Sequence, residues 1–115
     1  MIFHIAKGGD WGEAKRIGEY RPESLRTEGF VHCSTADQIV AMANRLFRGQ
    51  PELVLLCIDE HRLAAPVHFE PAPDAENTLF PHIYGPVNLE SVINIIDFPS
   101  RADCSFVLPE ELKLI

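Results

Sequence analysis

Nine prolines fall within 115 residues. Each one fixes its own φ, lacks an amide N–H and pushes the residue before it out of the helical region. A chain punctuated this often is expected to fold through short elements with frequent corners. Its longest uninterrupted apolar stretch, Leu53 to Ile58, is far too short to span a bilayer. Apolar residues make 46% and charged residues 23%, an ordinary globular balance. One domain over residues 1–115 is expected, burying about two-thirds of its unfolded surface. A doubly wound dinucleotide-binding fold would need a G-x-G-x-x-G fingerprint, and none follows Gly8 and Gly9. Seventeen acidic against ten basic side chains give a net charge of −7, which argues against nucleic acid or an anionic membrane as partner.

Cys33, Cys57 and Cys104 are widely spaced, with no C-x-x-C and no zinc-finger spacing. The start, Met-Ile-Phe-His-Ile-Ala-Lys, enters a strand-like alternation without the charged lead and long apolar run of a signal peptide. A reducing, cytoplasmic setting is the expectation.

Ile2–Ala6 alternates as a strand, with Phe3 and Ile5 on one face and His4 on the other. Asp10 is suited to cap a helix running to about Gly18, with Trp11, Ala14, Ile17 and Tyr20 on its apolar stripe. Phe30–Cys33 reads as a short strand. Thr35 with Gln38 forms a capping-box pattern opening a second helix, which Gly49 and Pro51 end. Leu53–Ile58 reads as a central strand, apolar on both faces. Val67–Glu70, Pro81–Tyr84 and Ser91–Phe98 read as further strands around a loop at residues 71–79, and Phe106–Leu108 as an edge strand. Two early helices followed by mostly strands predict an α+β fold with a bent, mostly antiparallel sheet.

Three histidines share one kind of placement. His4, His32 and His82 each lie in a short strand, and Ser34 and Tyr84 follow two residues after the second and third. Were these strands neighbours, their imidazoles would line one cleft able to bind anions or sugars, or to move protons. The plainer alternative is a set of hydrogen-bonded structural histidines. His61 and His68 read as solvated. Ser34, where a strand meets a helix, suits either a cap or an anion contact at the helix N-terminus. Cys33 points away from the His32 face and reads as core. A metal site of His4, His32 and His82 would lack any H-x-H or H-x3-H pair to pre-organise it. Glu70 could act as a base or hold a sugar hydroxyl. Arg21 and Arg26 could meet a phosphate, or pair with nearby acids such as Glu23 and Glu28.

The stretches Glu28-Gly29-Phe30-Val31-His32-Cys33-Ser34 and Phe80-Pro81-His82-Ile83-Tyr84-Gly85-Pro86 resemble a family of small bacterial proteins known as domain of unknown function 952. Phe3-His4-Ile5, Trp11, Tyr20, Leu55 through Asp59 and Val67 through Glu70 extend the resemblance over nearly the whole chain. It implies a divergent ADP-ribosyltransferase-like fold, a split and bent sheet holding NAD in the cleft between its halves. By position His4 matches the first-strand histidine that contacts the dinucleotide, and His32–Ser34 and His82–Tyr84 match the two other cleft motifs. The usual third-motif glutamate is absent where His82 stands, with Glu70 as its possible substitute.

Two functions follow as expectations. The first is an enzyme acting on NAD or an ADP-ribose-like phosphosugar, by transfer or hydrolysis. NAD is then a substrate rather than a cofactor. His32, His82 and Glu70 carry the chemistry, while His4, Ser34, Tyr84 and Arg21 hold the ligand. The alternative is a domain that binds a nucleotide or other small ligand without turnover.

Overall fold

The computed structural model describes residues 1–72 and 75–113, with side chains omitted at residues 75 and 76. In chain order it contains β1 (Ile2–Lys7), α1 (Gly8–Ile17), β2 (Glu19–Tyr20), α2 (Glu23–Thr27), β3 (Val31–His32), α3 (Ile39–Leu46), β4 (Leu53–Ile58), β5 (Val67–Ala72), β6 (Ala75–Ile83), β7 (Val87–Asn88), β8 (Val92–Asp97) and α4 (Glu110–Lys113). The fold is α+β, built from small antiparallel sheets and a few short helices.

β4 is apolar on both faces because it is the middle strand of the order β1-β4-β8 and is covered on both sides. Leu56 and Ile58 face one core with Trp11, Tyr20 and Val31. Leu55 and Cys57 face the other with Phe3, Ile39, Phe98 and Phe106. Complete burial of one such leucine or isoleucine stabilises the fold by about 1.5–3 kcal/mol. A second three-stranded sheet has the order β3-β6-β5, and β2 pairs with β7. Among the described residues no helix is long and apolar enough to cross a membrane.

Several expectations change here. α1 starts at Gly8 and stops at Gly18, which adopts φ 104° as its C-cap. The chain turns there, so Ile17 is exposed, and Tyr20 from β2 takes the core place beside Trp11. α2 is a third early helix, too short to leave an apolar period in the sequence. The Thr35–Gln38 pattern closes a turn but opens no helix. The Gln38 Oε1 accepts from the Thr35 N–H at 3.0 Å, while the Thr35 hydroxyl turns to Asp37, and α3 begins only at Ile39. The expected loop at 71–79 is largely strand. Pro71 and Ala72 belong to β5 and residues 75–79 to β6, while residues 73 and 74 lie outside the described residues. Pro71 is tolerated because β5 is an edge strand that needs no outward N–H. Phe106–Leu108 forms no strand. The Asn44 side chain takes the partner's place, accepting from the Phe106 N–H at 2.7 Å and donating to its carbonyl at 3.2 Å.

Gly85 follows β6 where the chain passes over Ala65, and a Cβ there would sit 2.8 Å from the Ala65 Cβ. Gly85→Ala is expected to cost about 2 kcal/mol through overpacking, measured as a lower urea midpoint at unchanged slope.

Candidate functional site

The two three-stranded sheets meet at one joint. β3 pairs with β6 through Val31–Ile83 and His32–His82, and the Cys33 N–H continues the pairing to the Pro81 carbonyl at 3.0 Å. One residue later the chain has changed sheets. Ser34 exchanges two backbone hydrogen bonds with Phe3 of β1, each 2.8 Å. Beyond this bridge β1 and β6 separate, and a cleft of about 950 Å³ opens between them. Strand alternation points the Ile5 N–H and C=O the same way as those of Phe3, to the side away from β4. Among the described residues they have no hydrogen-bond partner, so the cleft contains an unfilled strand edge.

His4 holds the joint. The His32 carbonyl only accepts, so His4 Nδ1 carries the proton and donates to it at 2.6 Å. His4 Nε2 therefore accepts from the Tyr20 hydroxyl at 2.7 Å. Burial pushes the His4 pKa from 6.5 down to about 4, outweighing the opposing effect of the His32 carbonyl, and the nearby His32 ring lowers it a little further. Burial also raises the Tyr20 hydroxyl, helped by the Asp10 carboxylate, so Tyr20 stays a neutral donor.

The chemistry-bearing side chains lie across the second sheet. Cross-strand register sets His32 opposite His82, and His82 opposite His68. Directly opposed residues share a face, so one face carries a row of three imidazoles. In the middle, His82 is buried and donates from Nδ1 to Glu70 Oε1 at 2.8 Å. The Tyr84 hydroxyl donates to the same oxygen. Those bonds, Tyr84's first, hold Glu70 below the usual carboxylate range, and Glu70 in turn raises the Tyr84 phenol. The site therefore carries an ionised carboxylate with one oxygen occupied and, among the described residues, Oε2 open. The Phe30 ring stacks on His82, centroids 4.1 Å apart at 19°, and also touches His32 and Tyr84 at 4.8 and 5.5 Å. His32 Nε2 pairs with Glu28 Oε2 at 2.9 Å.

The cleft thus brings together His32, His82, Glu70 and Tyr84. His4 and Ser34 line it too, but both His4 ring nitrogens are already engaged. Ser34 lies five residues ahead of α3, so the expected helix N-terminus behind it is not there, and its backbone serves the sheet joint instead. Arg21 is not among the cleft residues and pairs with Glu19 on the surface; Arg26 pairs with Glu23 at 2.9 Å. Cys33 is core, and burial raises its thiol, which suits no nucleophile. No three His, Cys, Asp or Glu residues among those described are grouped to hold a metal ion. Sequence reasoning missed Glu28 and Phe30. Phe30 shares the His32 strand face, a signal present in the alternation, whereas Glu28 reaches His32 only through the turn at Gly29.

The family described as a protein of unknown function, DUF952, matches residues 5–95. The crystal structure of protein CC0527 from Caulobacter crescentus is similar with a TM-score of 0.86 at 29% identity, over 97% of each chain. Its solution NMR structure matches with a TM-score of 0.82 at 30% identity, over 99% of this chain and 97% of that one. No curated protein matches the chain.

Proposed function

The chain belongs to the DUF952 family of proteins of unknown function, and from its cleft we propose an enzyme that takes NAD, or a closely related ADP-ribosyl compound, as substrate and breaks its N-glycosidic bond. The observation that carries this reading is Glu70, an ionised carboxylate fixed by His82 and Tyr84 with one oxygen open to a cleft large enough for a dinucleotide. Two sheets parting from one joint support the resemblance to the ADP-ribosyltransferase-like fold. The unfilled edge at Ile5 offers an N–H and a C=O side by side, which suits a carboxamide such as that of nicotinamide. Lys7 and Arg45 are the lysine and arginine lining the cleft, and a pyrophosphate requires such cations in a chain of net charge −7.

The reaction asks little of an acid. As the bond from C1′ to the pyridinium nitrogen breaks, its electron pair returns to that nitrogen and nicotinamide leaves neutral. Positive charge develops on the ribose, and the open Glu70 oxygen stabilises it. In hydrolysis, water adds to C1′ and its proton passes to His82 Nε2, the ring nitrogen that does not bond Glu70. Three cysteines without a disulfide suit a reducing, cytoplasmic setting.

The test is incubation with NAD and chromatographic detection of free nicotinamide, beside thermal melting with ADP-ribose. Nicotinamide release is expected. ADP-ribose at a hundred times its Kd is expected to stabilise the fold by about 2.7 kcal/mol, a rise of several degrees in Tm. A Tm rise without release would favour the binding-only alternative, for which the fully engaged His4 speaks. Neither effect would overturn both.

A further inference from the structure

We propose that Glu28 and His32 form the acceptor half of this cleft, where a neutral or cationic alcohol enters from solvent and receives the ADP-ribosyl group on its oxygen. The inference rests on the glycosidic reading above and adds the second substrate. A second carboxylate–imidazole pair lies beside the first, with the ring centroids of His32 and His82 only 5.5 Å apart. The pairs differ in depth. The His82 side chain is 8% exposed and that of Glu70 38%, against about half for His32 and Glu28, so the imidazole of the first pair is buried and the second pair lies nearer the mouth. They differ in tautomer too. His82 spends Nδ1 on its carboxylate, whereas His32 spends Nε2, which leaves His32 Nδ1 without a partner among the described residues.

Glu28 is held in place by a purpose-shaped turn. Its N–H and that of Gly29 both donate to the Ser24 carbonyl, at 2.7 and 3.1 Å. The Ser24 hydroxyl donates to the Phe30 carbonyl at 2.8 Å. Gly29 takes φ 88°, a conformation other residues rarely adopt. From the other side, His4 pins the His32 carbonyl. Glu28 is therefore a positioning residue acting through His32. In the transfer step the acceptor oxygen bonds to C1′ and its proton moves to His32 Nδ1. The C1′–N electron pair leaves with nicotinamide, and Glu28 stabilises the imidazolium formed. Glu28 and Glu70 on one wall repel an anionic acceptor, which sets the acceptor's charge class. The titratable groups around His32 are Glu28 from the turn before β3, His82 from β6 and His4 from β1.

The experiment supplies NAD with glycerol, ethanolamine or glycerol 3-phosphate and measures O-glycosides by mass spectrometry against free ADP-ribose and nicotinamide. The wild type is expected to form glycosides with glycerol and ethanolamine, and at least tenfold less with glycerol 3-phosphate. Glu28→Gln is expected to lower transfer at least tenfold more than it lowers nicotinamide release. Glu28→Asp, which keeps the carboxylate, should restore part of the lost transfer. Nicotinamide release with free ADP-ribose as the sole product overturns the acceptor role and leaves the glycosidic reading standing. So does a ratio untouched by Glu28→Gln. No nicotinamide from the wild type overturns both.

Discussion

Glu70→Gln is expected to reduce nicotinamide release from NAD by about 10²- to 10³-fold, the range found when one electrostatic contact to a developing charge is removed. The substitution is nearly isosteric. A glutamine carbonyl oxygen can still accept from His82 Nδ1 and from the Tyr84 hydroxyl, both of which now meet Glu70 Oε1. What it loses is the negative charge behind the open oxygen. The fold should stay intact, because Glu70 lies at the partly exposed end of these bonds and the glutamine keeps both of them. ADP-ribose should bind at least as well, since its phosphates no longer share the cleft with that carboxylate. The informative result is therefore a split, with kcat collapsed and thermal stabilisation by ADP-ribose retained. A glutamine variant keeping more than a third of the wild-type rate would remove Glu70 from the chemistry. Tyr84→Phe should cost only about tenfold, because the phenol orients the carboxylate and contributes no charge.

The parts of this site that the sequence displays are those governed by alternation. Period two puts His82 with Tyr84, and His32 with Phe30, each on one face, and the sheet keeps them there. The central strand was legible for the same reason, since six consecutive apolar residues are stable only when covered on both sides. Contacts made by a change of direction leave no period to detect. Glu28 meets His32 because Gly29 reverses the chain. Tyr20 meets His4 because α1 ends at Gly18. Ser34 misled in the opposite sense. The capping pattern after it is real chemistry, but Asp37 captures the Thr35 hydroxyl and the helix starts three residues late. The strand edge at Ile5 carries no side-chain signal at all, because its donor and acceptor are backbone.

The joint that makes the cleft should also be its acid-labile point. His4 has an ordinary pKa of 6.5 and a folded value of about 4. Below pH 6.5 the unfolded chain takes up a proton at this ring while the folded chain does not, so the unfolded state binds more protons and stability falls as pH falls. The stabilisation is complete above pH 6.5 and is lost between there and about 4. The lowering converts to about 3 kcal/mol, a large share of the stability of a small domain. The carboxylates held below their usual range, Glu70 and Glu60 among them, also withdraw stability on acidification, but they do so at lower pH, around and below their ordinary values. The upper part of the window, pH 6.5 to 5, therefore reports mainly on His4. His4→Gln removes the titration and keeps a group that can donate or accept. Urea midpoints measured across that range should fall more steeply for the wild type than for the variant. Protonation also breaks a particular contact, because a doubly protonated ring cannot accept from Tyr20. The Tyr20 absorbance of the folded wild type should then change only near pH 4, where the folded ring itself takes up a proton, and not in the variant. Parallel slopes for the two proteins would mean that the His4 ring is free to ionise in the fold, and that the sheets are joined by the Phe3–Ser34 bridge without its help.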